Sequence, residues 1–185
     1  MIGYRCSGKT SIGKGLAGRL GLPFVDTDEL VEKRVGKTIR EMVGASGWAF
    51  FRRQEREAIK SLAALDQSII ATGGGAVMAE DNAADLKQEG VLIWLVADEE
   101  TVLKRMLADA ATAEQRPSLS GADLKKEISE TLALRTPVYR RLADYAVYTG
   151  RAGIEESVER IVEFLLSRTG GLPVPPAGCA PERRK

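Results

Sequence analysis

Eight residues near the start, Gly3-Tyr4-Arg5-Cys6-Ser7-Gly8-Lys9-Thr10, constrain this chain more than any other feature. They fit the pattern G-x-x-x-x-G-K-[ST]. Small residues at that spacing let consecutive backbone N–H groups close around phosphate oxygens, with the positive end of a following helix behind them. The pattern supplies that helix: Ile12, Leu16 and Leu20 recur every fourth residue and mark one face from Lys9 to Leu20. The competing reading is a glycine turn carrying a surface lysine. A phosphate loop hangs from the end of a buried strand, yet only Met1 and Ile2 precede Gly3. The expectation is therefore a clipped sequence or a misassigned first Met, with about five to eight more apolar residues in the natural chain.

Beyond the loop, helical and extended patterns alternate. Pro23-Phe24-Val25 reads as a short strand, Glu29 to Val35 and Ile39 to Val43 as short helices, and Trp48 to Leu65 as a longer one with Phe51, Ala58, Ile59 and Leu62 inward. Ser68 to Ala71 reads as a buried strand ending in Thr72-Gly73-Gly74-Gly75. A helix is expected over 81–88, a strand over 91–96, a helix over 99–108, a long helix over 123–142, a strand over 145–148 and a last helix over 155–168. Such alternation implies an α/β fold with a parallel sheet covered by helices on both faces. One domain, 1–168, is expected at this length. Residues 109–122 lack a period and read as a mobile lid, and the proline-rich residues 169–185 as a disordered tail.

Composition removes whole reaction classes. The 185 residues include no histidine, so there is no Ser-His-Asp or Cys-His pair, no His-ligated zinc and no imidazole base. With 27 Lys+Arg against 26 Asp+Glu, the net charge of +1 argues against nonspecific nucleic-acid binding. Cys6 and Cys179, far apart in sequence, suit a reducing cytoplasm rather than a disulfide scaffold. The longest apolar run, Val91 to Ala97, is far short of the roughly 20 residues of a membrane span.

Three groups of residues carry candidate chemistry. Asp26-Thr27-Asp28 follows the first short strand, and in extended chain two carboxylates two apart would both face the crevice at the carboxyl end of the sheet. One would serve a metal and the other an acceptor hydroxyl; the equal alternative is that Asp28 caps the helix beginning at Glu29. Arg135 lies on the stripe Ile128, Leu132, Arg135, Tyr139, Leu142. A charge there favours an anionic partner such as a carboxylate or phosphate, unless Pro137 kinks the helix and turns it outward. Arg52 alone reads as surface charge, and Gly73-Gly74-Gly75 as close backbone approach to a ligand or simply as a flexible turn.

Taken in order, the motifs resemble shikimate kinase over nearly all of 1–168. They are Gly8-Lys9-Thr10, Phe24-Val25-Asp26-Thr27-Asp28, Gly47-x-x-x-Phe51-Arg52-x-x-Glu55, Thr72-Gly73-Gly74-Gly75-Ala76-Val77, Val91-Leu92-Ile93-Trp94-Leu95, Arg116-Pro117 and Arg135-x-x-x-Tyr139-x-x-x-Ala143. The resemblance implies a P-loop NTPase fold of the nucleoside-monophosphate-kinase type. Its five parallel strands would run in order 2-3-1-4-5, the first of them truncated here. It implies a monomer that transfers the γ-phosphate of MgATP to the 3-hydroxyl of shikimate in aromatic amino-acid biosynthesis. By similarity, ATP would lie on Cys6, Ser7, Gly8, Lys9, Thr10 and Ser11, with Arg116 and Arg151 at the nucleotide. Thr10 would ligate Mg²⁺ and Asp26 would support it. Asp28 would hold the acceptor hydroxyls as base, while Arg52, Arg135 and the backbone of Gly73, Gly74 and Gly75 would clamp the carboxylate. Lys9 and Arg116 would stabilise the transferring group. Cys6 stands where the family often has glycine, and Trp48 where glutamate is common. The rival readings are another small-molecule kinase of this shape, such as a gluconate kinase, and a noncatalytic nucleotide- or shikimate-binding module.

Overall fold

A computed structural model describes residues 1–62, 65, 67–108, 124–150 and 152–168. The expected lid at 109–122 with Arg116, the expected tail at 169–185 and Arg151 lie outside these residues. Helix α1 (Lys9–Leu20) starts directly on the loop and ends on Gly21 in the left-handed conformation. Strand β1 (Phe24–Asp26) leads into α2 (Thr27–Val35), and α3 spans Ile39–Leu62. Strand β2 (Ile69–Ala71) is followed by a 3₁₀ turn (Ala76–Met78) and α4 (Glu80–Glu89). Then come β3 (Ile93–Val96), α5 (Glu99–Ala108), α6 (Leu124–Leu142), β4 (Tyr145–Tyr148) and α7 (Ile154–Arg168).

The two strand pairs are parallel, β1 with β2 in the register Val25 to Ile70 and β3 with β4 in the register Leu95 to Val147. Met1 and Ile2 join them. The Met1 amine donates to the Ile70 carbonyl and the Met1 carbonyl accepts from Thr72 N–H at 3.1 Å, while Ile2 exchanges backbone bonds with Ile93 and Leu95. These two residues thus occupy a central position between β2 and β3, although the described residues hold only four named strands. They also alternate as strand residues do: Met1 packs with Ile12, Leu16, Leu95 and Ile161 on one face, and Ile2 with Ile59, Val77, Trp94 and Tyr139 on the other. Helices therefore bury both faces of the sheet, and the carboxyl ends of the strands are left to form a crevice.

The two helices expected over 39–43 and 48–65 are both present within α3, meeting at a break at Gly47, whose φ of 74° and ψ of 171° only glycine adopts without strain. Leu65, the expected end of the second helix, is not helical. Pro137 does not break α6, which continues to Leu142 with Ile128 and Tyr139 buried as the stripe predicted. No helix among the described residues is long and apolar enough to cross a membrane.

Candidate active site

The loop from Gly3 to Gly8 leaves the end of the Ile2 segment and delivers its last residues into the N-terminus of α1. Cys6 is its strained point, the one non-glycine residue with positive φ (58°) among those described. The loop is braced from outside. Thr149 Oγ1 donates to the Ser7 carbonyl at 3.0 Å, and Arg105 donates to the Cys6 carbonyl at 3.1 Å and to the Thr149 carbonyl at 2.5 Å. Lys9 folds back over the loop, its Nζ donating to the carbonyls of Gly3 (2.9 Å) and Tyr4 (2.7 Å). This places an ammonium beside the loop N–H groups.

Asp26 and Asp28 come together for a reason other than strand alternation. Asp26 ends β1 and is itself the N-cap of α2, its Oδ1 accepting the Asp28 N–H at 2.9 Å. Asp28 therefore sits in the first helical turn and is not the cap. The other Asp26 oxygen, Oδ2, accepts from Thr10 Oγ1 at 2.9 Å. Hydroxyl and carboxylate oxygens thus meet at the start of α1, the hard donor set that suits Mg²⁺ shared with phosphate oxygens. Among the described residues no cluster of three or more His, Cys, Asp or Glu could hold a metal alone. A cation here needs the ligand's own oxygens.

Two adjoining cavities open at the crevice. The larger, of about 680 Å³, is lined by Cys6, Gly8, Lys9, Thr10, Ser11, Asp26, Arg105, Thr149 and Gly153 among others. That volume suits a nucleotide-sized ligand. Ser7 does not line it; its side chain is fully buried behind the loop. The narrower cavity is lined by Trp48, Phe51, Arg52, Glu55, Gly73, Gly75 and Arg135. Its volume is about 40 Å³. Asp28 and Gly74 line both.

The glycine run is required by what crowds against it. A Cβ on Gly73 would lie 2.7 Å from Asp28 Oδ1 and 2.8 Å from Glu55 Oε1, and one on Gly75 would meet Arg52 Nη2 at 2.6 Å. Gly73 N–H donates to buried Thr27 Oγ1 at 2.9 Å, and buried Tyr139 donates its hydroxyl to the Gly74 carbonyl. Burial pushes the Tyr139 phenol up to about 12, against the pull of the nearby Arg135 charge. Arg135 itself lies 5.8 Å over the Tyr4 ring, facing the narrow cavity. Arg52 pairs with Glu55 at 2.6 Å, one turn on along α3. Glu55 is 1% exposed with Oε1 making no hydrogen bond, and burial raises its carboxyl above the ordinary range while Arg52 and Arg135 pull it down.

Most of the residues singled out from sequence are thus gathered around two connected cavities, with Ser7 behind them and Arg116 and Arg151 outside the described residues. Sequence reasoning overlooked Arg105, Thr149 and the role of Glu55. The Arg52 to Glu55 spacing, three residues on a helix, was a readable signal for the last; the first two carried none.

Known proteins are similar to this chain in sequence and fold. A model of the family described as shikimate kinase matches residues 5–166. The shikimate kinase of Syntrophus aciditrophicus is 48% identical over 91% of this chain and 90% of its own, and that of Symbiobacterium thermophilum is 41% identical over 91% and 95%. Among solved structures, a shikimate kinase from Acinetobacter baumannii in complex with shikimate superposes with a TM-score of 0.84. It is 30% identical and covers 90% of this chain and 91% of its own.

Proposed function

The chain belongs to the shikimate kinase family, an ATP-dependent kinase of shikimate in aromatic amino-acid biosynthesis, and we propose that its two connected cavities are the two substrate sites. The observation that carries this reading is the placement of Asp28 on the wall common to both cavities, between the phosphate loop and two arginines.

The larger cavity takes ATP, its phosphates on the N–H groups of Cys6, Ser7, Gly8, Lys9, Thr10 and Ser11. Lys9 draws the transferring group toward the loop, and Arg105, which lines that cavity, faces the nucleoside. Arg116 and Arg151 are assigned to the nucleotide from the family resemblance. Thr10 and Asp26 would hold Mg²⁺, which neutralises charge on the β- and γ-phosphates when bound.

The narrower cavity takes shikimate. Arg52 and Arg135 receive the carboxylate, and the tight glycine run supplies backbone at the ring. Asp28 orients the 3-hydroxyl and accepts its proton as the oxygen attacks the γ-phosphorus in line. Glu55 holds Arg52 and occupies the polar floor beside Gly73. Transfer of this kind asks mainly for positioning and charge, so the lack of histidine costs it nothing. We read the enzyme as a monomer of the reducing cytoplasm, which the two widely spaced cysteines support.

The test is separate titration of shikimate and ADP against the purified chain and an Arg135→Ala variant. Loss of shikimate affinity with ADP affinity kept supports the division; equal loss for both ligands refutes it.

A further inference from the structure

Whatever passes between the cavities must pass the residues that line both. Among the described residues these are Arg5, Asp28, Ile39 and Gly74. One is apolar and one has no side chain, so the crossing presents one carboxylate and one guanidinium.

Arg5 is held there at some expense. Its Nη2 donates to Glu127 Oε1 at 2.6 Å, across 122 residues of sequence, and the side chains are 13% and 2% exposed. Nε of Arg5 is buried with no hydrogen-bond partner, and the guanidinium carbon lies over the Tyr4 ring, 5.5 Å from its centroid. A buried ion pair is weak support for stability, because desolvation offsets its attraction. It is good support for orientation: Glu127 pins one edge of a planar donor whose charge lies over an aromatic ring. Glu127 lines neither cavity and stands behind Arg5 in the first turn of α6.

We propose that Arg5 is a further catalytic cation of the transfer, donating to the phosphoryl group as it crosses from ATP to the acceptor hydroxyl, and that Glu127 is its positioning residue. A donor fixed before the reaction needs no reorganisation when charge spreads over the phosphoryl oxygens, so it acts on the transition state more than on either bound substrate. The inference rests on the two-site reading above, and its test separates the two.

The experiment is steady-state kinetics with MgATP and shikimate, alongside ADP and shikimate affinities by calorimetry, for the full chain and four variants. Arg5→Met is expected to lower kcat on the order of 100-fold, the scale of one lost donor at a developing charge. Both KM values and both affinities should stay within about threefold, because uniform binding is untouched. Arg5→Met/Glu127→Leu removes both charges of the buried pair together, so neither is left without the other, and it should be as slow as the single variant. Arg5→Lys should regain part of kcat, and Glu127→Gln should fall between Arg5→Met and the parent. A double variant within about threefold of parental kcat overturns the proposal, as does a loss appearing only in KM. A parent chain with no turnover on shikimate would sink the two-site reading and this inference with it.

Discussion

At the scale of single residues, charge is spent where anions are expected. Arg135 sits over an aromatic ring beside a buried phenol, so its removal leaves a desolvated anion site without its cation. Arg135→Ala is predicted to weaken shikimate binding by about 2 to 5 kcal/mol while leaving ATP little changed; calorimetry with each ligand checks it. Asp28→Asn should cut kcat severely and spare nucleotide binding, since Asp26 rather than Asp28 caps α2. Near-normal turnover would remove Asp28 from the chemistry. Glu55 gives a pH signature. Its folded-state carboxyl titrates above the unfolded one, chiefly through burial. The stability it contributes is fully present below the ordinary carboxylate range and is lost as pH rises through the raised folded value. Glu55→Gln should therefore flatten that part of the stability curve in denaturant titrations run from acid to neutral pH. An unchanged slope would contradict the assignment.

At the scale of elements, the site depends on how strands and helices end. Thr10, in the first turn of α1, bonds the last residue of β1, and that same residue caps α2. One carboxylate thus ties two elements to the phosphate loop. The segment after β2 is set by what it excludes: Gly75→Ala drives a methyl against Arg52. That change is predicted to raise the KM for shikimate several-fold with little effect on the KM for ATP, because Arg52 faces only the narrower cavity. Equal rises in both would mean the turn is merely structural. Element scale also marks what the sequence could carry. The loop, α1 and the Arg135 stripe were legible because their determinants lie within one helix or turn. The convergence of Asp26 and Asp28 was legible as an outcome but not in its cause, since a capping bond, not extended geometry, produces it. The break at Gly47 was legible too, since the pattern reads as two helices on either side of it, as the non-helical backbone there makes them.

At the scale of the whole molecule, the parts that stayed hidden are contacts made by topology. Arg105 reaches the loop across 99 residues and Glu127 reaches Arg5 across 122. No local pattern announces such pairs, because they exist only once the chain has folded α5 and α6 against each other and against the phosphate loop. Met1 and Ile2 show the same dependence: two apolar residues in sequence, they become the hydrogen-bonded joint between β2 and β3 and supply side chains to both cores. The architecture explains why near-neutral charge coexists with an anion-binding centre. Lys9, Arg52, Arg105 and Arg135 are collected on one crevice, while acidic residues balance them elsewhere or, as Glu55 and Glu127 do, hold arginines in place.

The central claim is that this crevice transfers phosphate from ATP to shikimate, and the direct measurement is ADP release by the purified full chain with MgATP and a panel of acceptors. Shikimate should give saturable turnover and a product heavier by one phosphoryl group, with gluconate and water giving background. Turnover on gluconate without turnover on shikimate would contradict it.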